Sequence, residues 1–297
     1  MDEAVTETHL PGLKLLARGK VRDLYDLGDR LLIVATDRIS AFDCVMPNGI
    51  PGKGKILTSM SLFWFEMMSD QVENHLLTAN VDEYPEEIRR FREVIEHRSM
   101  LVKKAKRIDV ECVARGYLAG SGWREYAQTQ TVCGIPLPPG LRESEELPET
   151  LFTPATKAAS GHDINISFEQ AATMVPRKQA SRLRDLTIDI YQKARDYAGD
   201  RGVIVADTKL EFGTIGDRIL LIDEILSPDS SRFWPKDTYE VGRAQQSFDK
   251  QFLRDYLESL DWDKTPPAPE LPEEIVAKTL ERYKDAHRAL LGGEAPV

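Results

Sequence analysis

Val203-Ile-Val-Ala-Asp-Thr-Lys-Leu-Glu-Phe-Gly213 and Arg218-Ile-Leu-Leu-Ile-Asp-Glu-Ile225 are the two stretches that decide the fold of this chain. Both are rich in Val, Ile and Leu, which is typical of strands. The sequence between them, Thr214-Ile-Gly-Asp217, is typical of a turn. The two stretches therefore predict a hairpin.

Charged side chains interrupt both predicted strands. Alternate side chains of a strand point to opposite faces, so Asp207, Lys209 and Glu211 are expected on one face. Asp223 and Glu224 leave the apolar run of the second strand. Buried charges are costly unless they are paired or bind a metal. Two carboxylates and a lysine suit a magnesium-nucleotide site, because Mg²⁺ prefers oxygen ligands and lysine binds phosphate. A cross-strand salt bridge on a solvated face fits the same spacing.

The length of the turn decides whether Glu211 and Asp223 face the same side. A loop with an odd number of residues, or a bulge, would bring both carboxylates to one face. A plain two-residue hairpin would separate them.

The length of the chain favours two lobes, and its composition argues against several classes of partner. A chain of 297 residues and 33.6 kDa is long for one domain. The net charge of −10 argues against general binding to nucleic acid or anionic membranes. The sequence has no signal-peptide pattern and no apolar run of the roughly 18 residues that span a membrane. Scattered cysteines at 44, 112 and 133 fit a reducing cytoplasm and offer no zinc pattern.

The predicted elements favour an α+β fold. Strands are predicted in antiparallel-looking blocks at Leu13–Arg18, Val21–Asp26, Leu31–Ala35, Met100–Ala105 and Val110–Tyr117. Helices are predicted at Ile56–Ser69, Lys178–Ala198, Tyr239–Leu260 and Glu273–Leu291.

Three glycine-containing segments are candidates for binding anions. Gly49–Ile56 resembles a P-loop, but Ile56 stands where that motif needs Ser or Thr for Mg²⁺. Arg18–Arg22 is a basic glycine turn of a kind that can cover nucleotide phosphates, although exposed basic turns are common. Arg115 precedes Gly120-Ser-Gly122 at a predicted helix start, which is typical of a phosphate site. Ser121 is also a candidate N-cap, and both roles are compatible.

Taken in order from residue 18 to about 236, these segments resemble the SAICAR synthetase family. The matching stretches are Gly19-Lys-Val-Arg-Asp, Thr36-Asp-Arg-Ile-Ser-Ala-Phe-Asp, Pro51-Gly-Lys-Gly-Lys, Glu111-Cys-Val-Ala-Arg-Gly-Tyr, Gly120-Ser-Gly, Ala155-Thr-Lys-Ala, His162-Asp-Ile-Asn-Ile, Asp207-Thr-Lys-Leu-Glu-Phe-Gly and Asp223-Glu-Ile-Leu-Ser-Pro-Asp-Ser-Ser-Arg. The extra C-terminal helices resemble the longer form of the family.

The resemblance implies an ATP-grasp-like α+β fold with two lobes and ATP between them. A small β-rich lobe (1–115) would cover the nucleotide, and a larger α+β lobe (116–297) would carry the hairpin and the C-terminal helices. The implied reaction belongs to de novo purine biosynthesis. ATP-dependent ligation of L-aspartate to the carboxylate of the ribotide CAIR gives SAICAR, ADP and phosphate, through an acyl phosphate and with Mg²⁺. No nucleic acid or membrane partner is implied, and the oligomeric state is left open.

The resemblance also implies roles for individual residues. The metal ligands would be Glu211 and Asp223, which with Lys209 form the expected catalytic set. ATP would contact Gly19, Lys20, Arg22, Lys157 and Glu211. The ribotide phosphate would bind Arg115, Ser121 and Arg232, and the ribotide side of the cleft would be lined by Asp207 and Lys209. Substrate would be ordered by Ser40, Asp43, His162 and Asp163.

Two other functions fit parts of the pattern. One is a small-molecule kinase with a similar cleft, which aspartate-dependent release of ADP would exclude. The other is a catalytically silent nucleotide-binding module, against which intact Lys20, Glu211 and Asp223 argue.

Overall fold

The computed structural model describes residues 3–156 and 164–297. In these residues the strands in chain order are β1 (Lys14–Arg18), β2 (Arg22–Asp26), β3 (Arg30–Ala35), β4 (Ser40–Ala41), β5 (Cys44–Val45), β6 (Leu76–Thr78), β7 (Ser99–Lys103), β8 (Lys106–Arg107), β9 (Val110–Tyr117), β10 (Thr131–Val132), β11 (Ile135–Pro136), β12 (Glu146–Phe152), β13 (Ala155–Thr156), β14 (Val203–Ile215), β15 (Arg218–Ile222) and β16 (Ser231–Pro235). The α-helices are α1 (Lys53–Met67), α2 (Glu86–Arg89), α3 (Arg92–Ile95), α4 (Gly120–Thr129), α5 (Phe168–Met174), α6 (Arg177–Gly199), α7 (Gln251–Glu258) and α8 (Glu273–Leu291).

The chain divides into two compact units. Unit 1 comprises Met1–Met67, Asn74–Ala105 and Asp249–Val297, and unit 2 comprises Met68–Glu73 and Lys106–Phe248. Each unit contains antiparallel sheet and helices, so the predicted mixture of α and β structure is confirmed. Among the helices of residues 3–156 and 164–297, none combines the length and the hydropathy of a membrane span.

Unit 1 is built on an antiparallel sheet of five strands in the order β1-β2-β3-β7-β6. Its core contains Tyr25, Leu32, Val34 and Leu101 from the sheet, together with Ile88 from α2. Alternating side chains of β2 and β3 supply this apolar face, as the period of a strand requires.

Helix α1 lies close to the sheet because its first turn contains a glycine. A Cβ atom on Gly54 would lie 2.2 Å from the carbonyl oxygen of Ala35 in β3. Any larger residue would therefore push the helix away from the strand.

The C-terminal helix α8 packs against α1 within unit 1. His287 Nε2 lies 3.1 Å from Ser59 Oγ across this contact. The predicted lobes, 1–115 and 116–297, thus differ from the observed division, which places both C-terminal helices with the N-terminal sheet. The reason is burial, because α8 presents a buried face that includes Val276, Leu280, Tyr283 and Leu290.

Unit 2 contains a sheet with the strand path β12-β9-β14-β15. Strand β14 has 13 residues and also pairs with β8 and β16, so it is the central strand of the unit. Helix α6 packs on β14 and β9. Its buried positions include Leu183, Leu186, Ile190, Tyr191 and Ala194, which confirms the predicted amphipathic helix.

One predicted helix is largely wrong. The apolar spacing of Tyr239–Leu260 predicts a single helix, but α7 begins only at Gln251. Gly242 adopts a positive φ of 96°, which no α-helix interior accepts. The side chain of Gln245 also donates to the carbonyl of Glu240 at 2.6 Å and stabilises a loop instead.

Candidate functional site

The β14–β15 hairpin closes with the two-residue turn Gly216–Asp217, between the paired residues Ile215 and Arg218. Pairing continues without a register shift to Glu211, which lies opposite Ile222. Directly opposed residues of antiparallel strands extend to the same face. Glu211 therefore shares its face with an apolar residue of β15.

Asp223 lies one residue beyond the end of β15. A continued strand would direct it to the face opposite Glu211, which is the outcome expected of a plain two-residue hairpin. Asp223 instead adopts a positive φ of 67°, and this conformation ends the alternation of side chains. Glu211 and Asp223 are instead related through Lys209, because both carboxylates raise the pKa of this lysine.

Lys209 lies within the electrostatic reach of three carboxylates. Its Nζ donates to Oε1 of Glu111 at 3.0 Å, and the Glu111 side chain is only 5% exposed. Partial burial of Lys209 favours the neutral amine, but the charges of Glu111, Glu211 and Asp223 outweigh burial and raise the pKa of Lys209. Lys209 therefore stays protonated on β14, beside β9.

Glu111 has no role in the sequence analysis beyond its place in a matching stretch. The signal that points to it is a carboxylate within Val110–Tyr117, a strand whose residues are all buried. A buried carboxylate needs a partner, and the pairing of β14 with β9 brings Lys209 to it.

Arg115 and Arg232 converge on Asp207. Nη1 of Arg115 and Nη1 of Arg232 donate to the same oxygen, Asp207 Oδ2, at 2.8 Å and 2.6 Å. The sheet explains this convergence, because Asp207 in β14 lies opposite Arg115 of β9 and opposite Arg232 of β16. Asp207 thus gathers two guanidinium groups, whose paired N–H donors suit a bound anion.

Helix α4 begins beside these arginines. Its N-cap is Ala119, so Ser121 lies inside the first turn and the predicted capping role of Ser121 is wrong. Ser121 Oγ accepts from Nη2 of Arg115 at 3.0 Å. A Cβ on Gly120 would lie 2.2 Å from Nη2 of Arg232, so glycine lets that guanidinium reach the helix start. The N–H groups of a first helical turn and the helix dipole both favour an anion there.

The glycine turn of unit 1 connects β1 with β2. Lys20 in this turn forms an ion pair with Asp43. The buried Arg38 donates from Nη2 to the carbonyl of Gly19 at 2.9 Å and from Nε to the carbonyl of Lys20 at 3.3 Å. The turn is thus held from beneath by Arg38. Lys20 itself is about half exposed.

Two other predicted residues of unit 1 lie near this turn. Arg22 is the first residue of β2 and pairs with Ala35 of β3. Ser40 pairs with Val45 in the short β4–β5 ladder, which brings Asp43 into the tight turn between them. Three predicted site residues, Lys157, His162 and Asp163, lie outside the described residues.

The residues present fit Mg²⁺ as the implied metal. Magnesium commonly binds one or two carboxylates and completes its shell with water and substrate phosphates. Glu211 and Asp223 supply two carboxylates of that kind, and the charges of both help to raise the pKa of Lys209. Within residues 3–156 and 164–297, no group of three or more His, Cys, Asp or Glu residues forms an all-protein metal cage.

The thiols do not supply a nucleophile. All three cysteines are buried and free. Burial raises the pKa of Cys112 and of Cys133 to about 12, and it also raises the pKa of Cys44. Neutral thiols are poor nucleophiles, so covalent activation of a carboxylate by cysteine has no support.

Comparison with known proteins identifies relatives along the whole chain. Residues 15–269 match the sequence pattern of the SAICAR synthetase family. The chain is 58% identical over 290 residues to phosphoribosylaminoimidazole-succinocarboxamide synthase of Thermodesulfovibrio yellowstonii, covering 98% of this chain and 99% of that protein. It is 56% identical over 293 residues to the protein of the same name from Geobacter sulfurreducens, covering 98% and 99%.

Solved structures agree with these relatives. SAICAR synthase from Saccharomyces cerevisiae, solved with SAICAR, has a TM-score of 0.89 and 45% identity, and the match covers 98% of this chain and 99% of that one. SAICAR synthetase from Pyrococcus horikoshii has a TM-score of 0.67 at 23% identity, which shows the shared fold alone, and covers 92% and 98%. The resemblance found in the sequence motifs is confirmed, and the chain belongs to the SAICAR synthetase family.

Proposed function

We propose that this chain carries out the reaction of its family with the residues described above. As a SAICAR synthetase it is an ADP-forming ligase of purine biosynthesis, which joins L-aspartate to the carboxylate of CAIR in an ATP-dependent reaction. The observation that carries this conclusion is the high identity to synthases of that name along 98% of the chain.

The proposed route has two chemical steps. A carboxylate is a poor acyl electrophile, so an oxygen of the CAIR carboxylate first attacks the γ-phosphorus of ATP and ADP leaves. The amine of L-aspartate then attacks the acyl carbon, loses a proton and expels phosphate. Positioning and charge neutralisation provide most of the catalysis in phosphoryl transfers. The raised pKa of the three thiols supports this route over an enzyme-bound acyl group.

Glu211 and Asp223 are the proposed ligands of Mg²⁺, which neutralises phosphate charge when it is bound. Lys209 is the proposed cation beside the reacting carboxylate. The ion pair with buried Glu111 restricts the movement of the lysine ammonium, so its charge is held in one place before substrate arrives.

Arg115, Arg232 and Ser121 are the proposed ligands of the ribotide phosphate, with Asp207 on the ribotide side. The support is the shared oxygen of Asp207, which aims both guanidinium groups at the start of α4. A phosphate at this position would meet two guanidinium groups and the start of a helix, whose N–H groups and dipole favour an anion.

In unit 1, the proposed contacts to ATP phosphates come from the turn that contains Gly19, Lys20 and Arg22. Asp43, which pairs with Lys20, and Ser40 are proposed to order substrate. Lys157, His162 and Asp163 keep their proposed roles from the family resemblance alone. The proposal further includes an ATP-grasp-like type of fold. It also includes a cytoplasmic location, which is supported by the free thiols.

Release of ADP tests the proposed function. In the steady state, ADP should be released rapidly only when CAIR and L-aspartate are both present with ATP and Mg²⁺. Each substrate is also supplied alone, and D-aspartate serves as the matched control. Equal release of ADP without aspartate would identify a kinase and overturn the ligase assignment. Binding of ATP without any turnover would identify a silent module.

A further inference from the structure

Tyr191 of α6 reaches the central sheet of unit 2 although no role in the reaction is assigned to it. Its side chain is fully buried, and its hydroxyl donates to the carbonyl oxygen of Val205 in β14 at 2.7 Å. Buried hydroxyl groups usually find such a partner, so this bond satisfies both groups.

Gly116 gives Tyr191 the space that this bond needs. A Cβ on Gly116 would lie 2.0 Å from the tyrosine hydroxyl oxygen and 2.9 Å from its Cζ. Gly116 directly follows Arg115 in β9. The Tyr191 hydroxyl therefore lies against the backbone of β9 beside the arginine and simultaneously bonds β14.

Both strands change their pairing at this place. The ladder between β14 and β9 has Asp207 opposite Arg115 as its last pair, so Val205 lies just beyond it. On the other side of β14, Ala206 is an extra residue between the pairs Val205–Phe233 and Asp207–Arg232. A bulge of this kind redirects the side chains that follow it. Tyr191 thus holds the backbone where the direction of Asp207 is set.

We infer that Tyr191 is a positioning residue for the phosphate site, acting through the Val205 carbonyl and the bulge on Asp207, and through Asp207 on Arg115 and Arg232. This inference rests on the proposed function, because it presumes that the two arginines bind the ribotide phosphate. Tyr191 acts through the backbone of β14 and β9 and not by contact with substrate. Its hydroxyl restricts the angle at which the three charged groups meet.

The variant Tyr191→Phe removes only the hydroxyl and keeps the packing of the ring. It should raise KM for CAIR about tenfold, the scale of one buried hydrogen bond, while KM for ATP and kcat change less than about threefold. Steady-state kinetics with each of the three substrates varied in turn measures this selectivity. An equal rise of KM for ATP and CAIR, or no change in either, would overturn the inference.

Tyr84→Phe is the matched control for a merely structural effect. Tyr84 is also buried, and its hydroxyl donates to the carbonyl of Ser99 at 3.0 Å within unit 1. Both variants should lose similar stability in urea, but Tyr84→Phe should keep KM for CAIR unchanged. A comparable rise of KM for CAIR in the Tyr84 variant would show that general loss of stability causes the effect at Tyr191. That result would overturn the inference.

A pair of further variants tests the contact and separates the two proposals. Gly116→Ala should raise KM for CAIR strongly, and adding Tyr191→Phe should reverse part of that rise, because the closest clash is with the hydroxyl. A double variant with KM for CAIR no lower than that of Gly116→Ala contradicts the inferred contact.

Arg232→Lys separates the inference from the proposed function, because it should also raise KM for CAIR. If Arg232→Lys raises it and Tyr191→Phe does not, the inference alone fails. If Arg232→Lys has no effect, the proposed phosphate site fails and the inference falls with it.

Discussion

Arg115 and Asp207 lie directly opposite each other in β9 and β14, and Nη1 of the arginine donates to Oδ2 of the aspartate at 2.8 Å. The two side chains are 5% and 6% exposed, so this is a buried ion pair. Burial lowers the pKa of the Arg115 guanidinium, the charge of Asp207 raises it again, and the nearby Arg232 lowers it. Asp207 is thus the counter-charge of the buried Arg115 and of the half-buried Arg232 beside it.

Asp207→Asn should therefore destabilise the protein. The change leaves Arg115 without its buried counter-charge, and removal of one partner of a buried pair commonly costs about 3–5 kcal/mol. The free energy of unfolding in urea measures the loss. Asp109→Asn is the matched control, because Asp109 forms an exposed ion pair with Arg107 at 2.8 Å. The free energy of unfolding of this variant should fall by less than about 1 kcal/mol. Equal stability of the two variants would contradict the structural role of Asp207.

Glu211→Gln and Asp223→Asn should each lower kcat at least about 100-fold, which is the scale of losing a preorganised charge contact. Both variants should keep the folded state intact. The observation behind this prediction is the joint action of both carboxylates on Lys209. Turnover is measured over a wide range of Mg²⁺ concentration. Asp217→Asn, in the exposed turn of the same hairpin, should keep normal turnover. Near-normal activity of the Glu211 and Asp223 variants at saturating Mg²⁺ would exclude them as metal ligands.

Folding stability should fall in mild acid partly because of His287. Burial lowers the pKa of His287 in the folded protein below its ordinary value near 6.5, so protonation favours the unfolded chain. The contribution of His287 is complete above that value and is lost as the pH falls from it towards the folded pKa. Urea unfolding between about pH 7.5 and 5 measures the slope. His287→Gln should flatten it, whereas His9→Gln, at an exposed site, should not. Identical slopes in all three proteins would contradict the prediction.

The acyl-phosphate route predicts the fate of one oxygen atom. When the CAIR carboxylate carries ¹⁸O, the phosphate that is released should contain the label, because that oxygen bridges carbon and phosphorus. Mass analysis of the phosphate measures the transfer. The control uses unlabelled CAIR in ¹⁸O-water, in which the phosphate should stay unlabelled. Unlabelled phosphate from labelled CAIR would exclude the route.

Local sequence patterns were sufficient for the two longest helices, α6 and α8. The apolar spacing of α6 predicts its length to within one residue at each end, and α8 has the predicted bounds. These helices bury a continuous stripe of apolar side chains, so the helical period is visible in the sequence as the spacing of apolar residues. The same reasoning fails for Tyr239–Leu260, where Gly242 and the hydrogen bonds of Gln245 stabilise a loop that apolar spacing cannot reveal.

The candidate site was predictable in its residue types but only partly in its geometry. Arg115, Ser121, Arg232 and Asp207 belong to matching stretches far apart in sequence, and the structure brings all four together. The role of Glu111 was not predictable, because it depends on Lys209 of another strand.

The sequence by itself determined the family, the strands and helices with clear periodicity, and the set of charged residues available for chemistry. Only the tertiary structure decided how those charges meet. The two-residue hairpin places Ile222 opposite Glu211, Asp223 leaves the strand with a positive φ, and the bulge at Ala206 aims Asp207 between two arginines. The physical reason is that propensity and periodicity act over a few neighbouring residues, whereas register, bulges and buried ion pairs depend on which strands lie side by side.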